Sequence, residues 1–236
     1  MKSSILILGA GRGLGRELCR FFLEEGHSVI GVTRTRESLT TALDDFSLRK
    51  QLFRGEAIDL SDRESSLRFL HGQNKELVPD LVVYAAGYLS ERKPLWDLSW
   101  EEIDREISSN FSGPLLWSVE MTRAFLKAKR GGHLFFSSGV VRLPRPSWGS
   151  YGVGKAAVEA LSKQISLDLP QPLYSLSINP GRMATTMRKV AFPDEDQATL
   201  PSPASIAKKI GAFCLTLIEG AGRTYNGKAL TMEDIP

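Results

Sequence analysis

The chain has 236 residues, 42% of them hydrophobic and 24% charged, enough to bury one sizeable core and unlike a disordered chain or a pair of small domains. Its net charge of +3 comes from arginines and lysines scattered among acids, so nothing points to nucleic acid as a partner. The two cysteines, Cys19 and Cys214, lie in helix-like segments without a Cys/His metal spacing, and there is neither an N-terminal apolar leader nor a run of about 18 apolar residues; an unprocessed cytoplasmic protein with no metal and no membrane partner is expected.

Ile5-Leu6-Ile7-Leu8 is a continuous apolar run, the signature of a strand covered on both faces in a parallel sheet. The loop after it, Gly9-Ala10-Gly11-Arg12-Gly13-Leu14-Gly15, has glycine at alternate positions. G-x-G-x-x-G fails from Gly9 and from Gly11, because Leu14 and Arg16 take the sixth place, and G-x-x-G-x-x-G fails at Arg12. G-x-x-x-G-x-G fits, through Gly9, Gly13 and Gly15. Glycines so placed let the backbone approach a pyrophosphate, whose charge is stabilised at the N-terminus of a helix expected over residues 14–25. Residues 28–33 read as the second strand. An NAD site usually presents an acid at the end of this strand, whereas a basic residue accommodates a 2′-phosphate. Thr33 stands in the acid's place and Arg34 follows it; with Arg12 in the glycine loop, the two guanidiniums favour NADP(H), with NAD(H) as the lesser cofactor.

A helix over 36–47, a strand over 52–58 leading to Asp59-Leu60, and a helix over 63–70 capped by Ser61 or Asp62 come next. Residues 80–87 form the fourth strand and its turn. The longest helical pattern runs from 99 to 129 with Gly113-Pro114 as an expected kink, and its apolar residues cover about 280° of a helical wheel, too wide for one buried face. His133-Leu134-Phe135-Phe136 reads as a strand that delivers Ser138 to the carboxyl edge of the sheet. The apolar spacing of 155–169 is helical, with Ser150 as its expected cap, which sets Tyr151 and Lys155 one turn apart on one face. An ammonium beside a phenol favours the phenolate, so Tyr151 is a candidate acid/base whose pKa is expected to be lowered.

Serine, tyrosine and lysine at these spacings, behind that glycine loop, resemble the short-chain dehydrogenase/reductase family in its compact branch. The resemblance implies a doubly wound parallel sheet of about seven strands with helices on both faces, a single α/β Rossmann-fold domain spanning 1–236. Arg12 and Arg34 stand as in members that prefer NADP. By the same resemblance Gly9, Gly13, Leu14 and Gly15 cradle the cofactor, Asp59 faces the adenine edge and Leu60 its ring, and Ala86-Gly87 keep the end of the family's Asn-Asn-Ala-Gly. Tyr84 and Ala85 replace its amides, and Leu8 replaces the threonine before the first glycine, so both sides of a polar contact between strands are changed. Asn110, in Asn-Phe-Ser-Gly, matches the catalytic asparagine and would hold a water in a proton relay. Ser138 would polarise the substrate oxygen, Tyr151 would exchange the proton, and Lys155 would hold the nicotinamide ribose. Pro180, Gly181 and Thr185 match Pro-Gly-x-x-x-Thr, with Thr185 on the nicotinamide carboxamide or the phosphates.

Residues 183–203, with three prolines and Asp194-Glu195-Asp196, read as an irregular, mobile lid. Arg142, Arg145, Arg182 and Trp148 fall in segments that border the substrate cleft in the family, suggesting an aromatic or apolar carbonyl compound with an anionic group; the alternative is that these arginines are solvated. The implied function is an NADPH-dependent oxidoreductase acting on a small-molecule carbonyl or alcohol, a homodimer or homotetramer joined through the long helix. The alternative, drawn from the altered Tyr84-Ala85 turn, is a dinucleotide-binding regulatory or interaction protein with little or no turnover.

Overall fold

The computed structural model describes residues 2–72 and 78–236; of the expected domain, residue 1 and residues 73–77 lie outside the described residues. The described residues form seven strands: β1 (Ser4–Leu8), β2 (Ser28–Thr33), β3 (Phe53–Ala57), β4 (Leu81–Tyr84), β5 (Gly132–Phe136), β6 (Tyr174–Asn179) and β7 (Ala229–Thr231). All pair in parallel, in the order β3-β2-β1-β4-β5-β6-β7. The chain winds outward from β1 in one direction and from β4 in the other, so the crevice for a ligand lies where the carboxyl ends of these two strands diverge. Between and after the strands run α1 (Gly13–Glu24), α2 (Arg36–Asp45), α3 (Arg63–His71), α4 (Trp100–Ile107), α5 (Gly113–Ala128), α6 (Gly139–Arg142), α7 (Gly149–Asp168), α8 (Thr186–Ala191), α9 (Pro203–Thr216) and α10 (Gly222–Tyr225).

Strand alternation divides the interior in two. Ile5 and Ile7 join Phe22 of α1 and Phe213 of α9, while Leu6 and Leu8 join Trp117 of α5 and Val158 of α7. This is the doubly wound arrangement expected from the continuous apolar strands. Cys19 and Cys214 are buried in the first core as small hydrophobes.

The pattern over 99–129 is one unbroken helical run, and what interrupts its regularity is a π turn just before Gly113-Pro114. Ser99 caps α4 in a reciprocal capping box with Glu102, a π turn follows over Ser108–Ser112, and α5 continues from it with Pro114 in its first turn. Within α5 the buried stripe is Trp117, Met121 and Phe125, and Val119 and Leu126 on other faces are exposed.

The changed turn after β4 is braced by a different polar group. Tyr84 stacks on Phe135 with ring centroids 4.1 Å apart, and its hydroxyl meets His133 Nδ1 at 3.0 Å. His133 Nε2 in turn meets Thr122 Oγ1 at 3.0 Å, so β4, β5 and α5 are joined through one imidazole. A neutral imidazole offers one donor and one acceptor, which the two hydroxyls match. Burial lowers the His133 pKa from 6.5 to about 3. The unfolded chain therefore takes up a proton near 6.5 that the folded chain refuses until about 3, and the stability His133 contributes is present above 6.5 and lost as pH falls through that window. His133→Gln is expected to reduce the slope of unfolding free energy against pH by about one proton between those limits, as read from urea denaturation at a series of pH values.

Candidate active site

A cavity of about 660 Å³ runs along the carboxyl edge of the sheet, across the point where β1 and β4 diverge. Its floor is the glycine loop. Gly9 has φ +98°, and a β-carbon there would lie 2.5 Å from Ala86 N, so the loop is pressed against the turn after β4. A β-carbon on Gly15 would lie 2.2 Å from Gly9 O. Gly15 therefore serves the packing of α1 under the loop and does not line the cavity, whereas Gly9, Gly13 and Leu14 do. Gly13, φ +55°, faces open space: the group nearest to a β-carbon there would be the Thr185 methyl, at 3.6 Å.

At one end of the cavity stand Arg12 and Arg34. Their neighbours Arg16 and Arg20 are paired with Asp45, but among the described residues no hydrogen bond or ion pair holds the guanidinium of Arg12 or of Arg34. Thr33 is buried and donates to Thr35 O at 3.1 Å, so its hydroxyl is used within the chain. Ser38, which pattern reading missed, also lines this end; its N–H is held at 3.2 Å by Thr35 Oγ1, the N-cap of α2. Two unpaired guanidiniums beside a helix N-terminus suit a phosphate. Asp59 accepts from Ser61 N at 2.9 Å and Ser61 Oγ at 2.7 Å, and with Leu60 it forms the adjoining wall. Asp62, rather than Ser61, caps α3.

In the middle, Ala86 and Gly87 line the cavity, and Gly87 is flanked by Asn110 and Lys155: a β-carbon there would lie 3.1 Å from Asn110 Oδ1 and 3.6 Å from Lys155 Nζ. Asn110 sits in the π turn, buried, and does not line the cavity. Its Nδ2 donates to Tyr88 O at 2.6 Å and Glu106 O at 2.9 Å, and its Oδ1 accepts from Tyr88 N at 3.3 Å, clamping the loop after β4. Lys155 Nζ donates to Phe136 O at 3.0 Å, and burial lowers its pKa to about 8. Ser138 is the N-cap of α6. Tyr151 is buried beside it, and desolvation raises its pKa, with the Ser138 hydroxyl acting in the opposite direction and the charge of Glu106 adding to the rise. The expected lowering by Lys155 is thus absent from the structure: Nζ is 5.9 Å from the ring centroid and committed to a carbonyl, and burial of the phenol dominates.

Ser150 does not cap α7, which starts at Gly149. Its Oγ instead donates at 2.5 Å to Oε2 of Glu106, a buried carboxylate whose Oε1 accepts from Ser90 N at 2.7 Å and Ser90 Oγ at 2.5 Å. Sequence pattern gave no sign of Glu106, since each of these contacts joins distant segments.

The other end is apolar. Leu89, Tyr151 and Ala191 form a buried cluster with Val140, Trp148, Met187 and Phe192 packed on it. Pro180, Gly181 and Met183 also line the cavity, and Thr185 both lines it and caps α8 through Oγ1 to Arg188 N at 3.1 Å. The stretch 183–203 is irregular only in part: it holds α8 and a 3₁₀ turn over Gln197–Thr199, fastened by Arg188 to Glu195 at 2.5 and 2.7 Å. Arg92 lies between Trp148 and Phe192, 5.3 and 4.8 Å from their ring centroids, and ties α8 to the loop before α7. Arg142 turns away from the cleft and donates to Ala229 O at 2.5 Å on β7; Arg145 and the exposed Arg182 remain at its border. Gly15→Ala is expected to cost about 1–3 kcal/mol through the clash with Gly9 O, measured as a fall in unfolding free energy.

A family model described as short chain dehydrogenase matches residues 3–196. The NADPH-dependent pterin aldehyde reductase of Arabidopsis thaliana is 27% identical over 230 residues, covering 97% of this chain and 93% of that protein. A benzil reductase ((S)-benzoin forming) of Saccharomyces cerevisiae is 29% identical over 204 residues, covering 80% of this chain and 74% of its own. Among solved structures, a short chain dehydrogenase of Escherichia coli CFT073 complexed with NADPH superimposes with a TM-score of 0.85 at 25% identity, covering 98% of this chain and 96% of that one. Among the described residues no helix is long and apolar enough to cross a membrane.

Proposed function

The chain belongs to the short-chain dehydrogenase family, and from that premise we propose that it is an NADP(H)-dependent oxidoreductase that reduces an aromatic or otherwise apolar carbonyl compound. The observation that carries this reading is the meeting of Ser138, Tyr151 and Lys155 with the glycine loop and two unpaired arginines in one cavity. When bound, NADPH supplies the hydride that the carbonyl carbon receives. Arg12 and Arg34 would hold its 2′-phosphate, the backbone at Gly13 and the start of α1 its pyrophosphate, and Asp59 and Leu60 its adenine. Lys155, beside Gly87, would hold the nicotinamide ribose, and Thr185 the carboxamide or phosphates.

Tyr151 donates a proton to the carbonyl oxygen, and Ser138 hydrogen-bonds the same oxygen as charge develops on it. The raised pKa of Tyr151 keeps the phenol protonated, the form a reduction needs. The apolar end of the cavity excludes water and takes the substrate's hydrocarbon part. Trp148 Nε1 there is buried without an acceptor among the described residues, a donor that an oxygen or nitrogen of the substrate would satisfy. Two relatives named for a pterin aldehyde and for benzil support an aromatic substrate. The segment 183–203 would act as the lid, and the exposed Val119 and Leu126 of α5 as part of a homo-oligomer contact.

NADPH oxidation by the purified protein over a panel of aromatic aldehydes and ketones tests the reading; cofactor binding with no oxidation across the panel would favour a regulatory protein. Tyr151→Phe is expected to leave NADPH binding nearly intact and lower turnover at least about 10²-fold. Arg34→Asp is expected to move cofactor preference from NADPH towards NADH, read as the ratio of kcat/KM for the two; a parent that already prefers NADH would refute the assignment of Arg34.

A further inference from the structure

We propose that Glu106 is a positioning residue of this site: its carboxylate ties Ser150, at the start of the helix α7 that carries Tyr151, to Ser90 in the loop that Asn110 clamps. The inference rests on the reading of Tyr151 as proton donor. Glu106 is 1% exposed, at the last turn of α4. Both carboxylate oxygens are engaged, one by the hydroxyl of Ser150, the residue before Tyr151, and the other by the amide and hydroxyl of Ser90. The Glu106 carbonyl receives Asn110 Nδ2 at 2.9 Å, so one residue meets three of the segments that build the centre of the site.

These three partners of the carboxylate are neutral donors. A glutamine could engage the same hydroxyls without the cost of a buried charge, so a glutamate here points to a use for the charge itself. Ionised groups approach Tyr151 from each side. Lys155 comes from its own helix, with Nζ 5.9 Å from the ring centroid. Arg92, from the loop after β4, is one ring away through Trp148, and Arg188, on α8, stacks on Phe192 at 3.7 Å beyond that. Burial is the main reason that Tyr151 retains its proton, the Ser138 hydroxyl acts against it, and the Glu106 charge adds to the retention. Removing the charge while keeping the contacts should therefore release the proton at lower pH and move the alkaline limb of carbonyl reduction down.

The test uses the full chain with NADPH and benzil as the carbonyl probe, comparing the parent with Glu106→Gln, Glu106→Ala and Tyr151→Phe. Glu106→Gln is expected to keep kcat within about fivefold at its own optimum and to shift the alkaline limb by about threefold or more in proton concentration. Glu106→Ala, which frees both tethers, is expected to lose about 10²-fold in kcat with KM and NADPH affinity within about threefold. An alkaline limb that Glu106→Gln does not move overturns the proposal, because a glutamate kept only for folding would leave the pH profile alone. This variant decides the matter even if Glu106→Ala fails to fold. If Tyr151→Phe retains full turnover, the proton-donor reading falls and the inference with it, an outcome distinct from an unmoved limb in an enzyme that needs its tyrosine.

Discussion

Nothing larger than hydrogen fits on the α-carbon of Gly9, where a β-carbon would lie 2.5 Å from the Ala86 backbone. This close approach fastens the loop after β1 to the turn after β4 at the one place where the sheet's winding reverses. Gly15 repeats the constraint from below, its own missing side chain letting α1 rise against Gly9 O. The two contacts form the cavity floor and present the start of α1 to it. They also set Gly87 between Asn110 and Lys155, so the nucleotide half and the reacting half of the site share one rigid seam.

Around that seam the site depends on burial as much as on contact. Lys155 is drawn down to about 8 and Tyr151 is pushed up by the same loss of water. Tyrosine and lysine one turn apart are often treated as a pair in which the cation activates the phenol, but here the carbonyl of Phe136 takes the ammonium and the phenol answers mainly to its surroundings. The π turn at Ser108–Ser112 contributes in a comparable way. It aims Asn110 at the loop after β4, a local departure from helix geometry of the kind that collects at functional sites.

The fold and much of the site were legible because they rest on local pattern. Continuous apolar runs announce strands covered on both faces, and the glycine register selects a single loop geometry. Serine, tyrosine and lysine spacings carry through to one cavity because strand ends and helix turns are regular. What could not be read depends on long-range contact or on irregular backbone. Ser150 looks like a cap until Glu106, 44 positions earlier, takes its hydroxyl. Arg142 looks available until Ala229, 87 positions later, takes its guanidinium. A wheel drawn through 99–129 assumes the uniform turn that the π segment breaks, and α8 is too short to show a period and relies on Arg188 and Glu195 for support.

The imidazole between Tyr84 and Thr122 has a consequence for how this sequence can change. Each hydroxyl is held by a ring that burial keeps neutral, and the ring has no other polar company among the described residues. Replacing Tyr84 alone by a short amide would leave a hole against Phe135 and an orphaned ring nitrogen; replacing His133 alone by an apolar residue would orphan two hydroxyls. Either step costs more than the double change, so the three positions form a ratchet. A lineage that has acquired them can return to amides at this turn only by passing through a less stable intermediate.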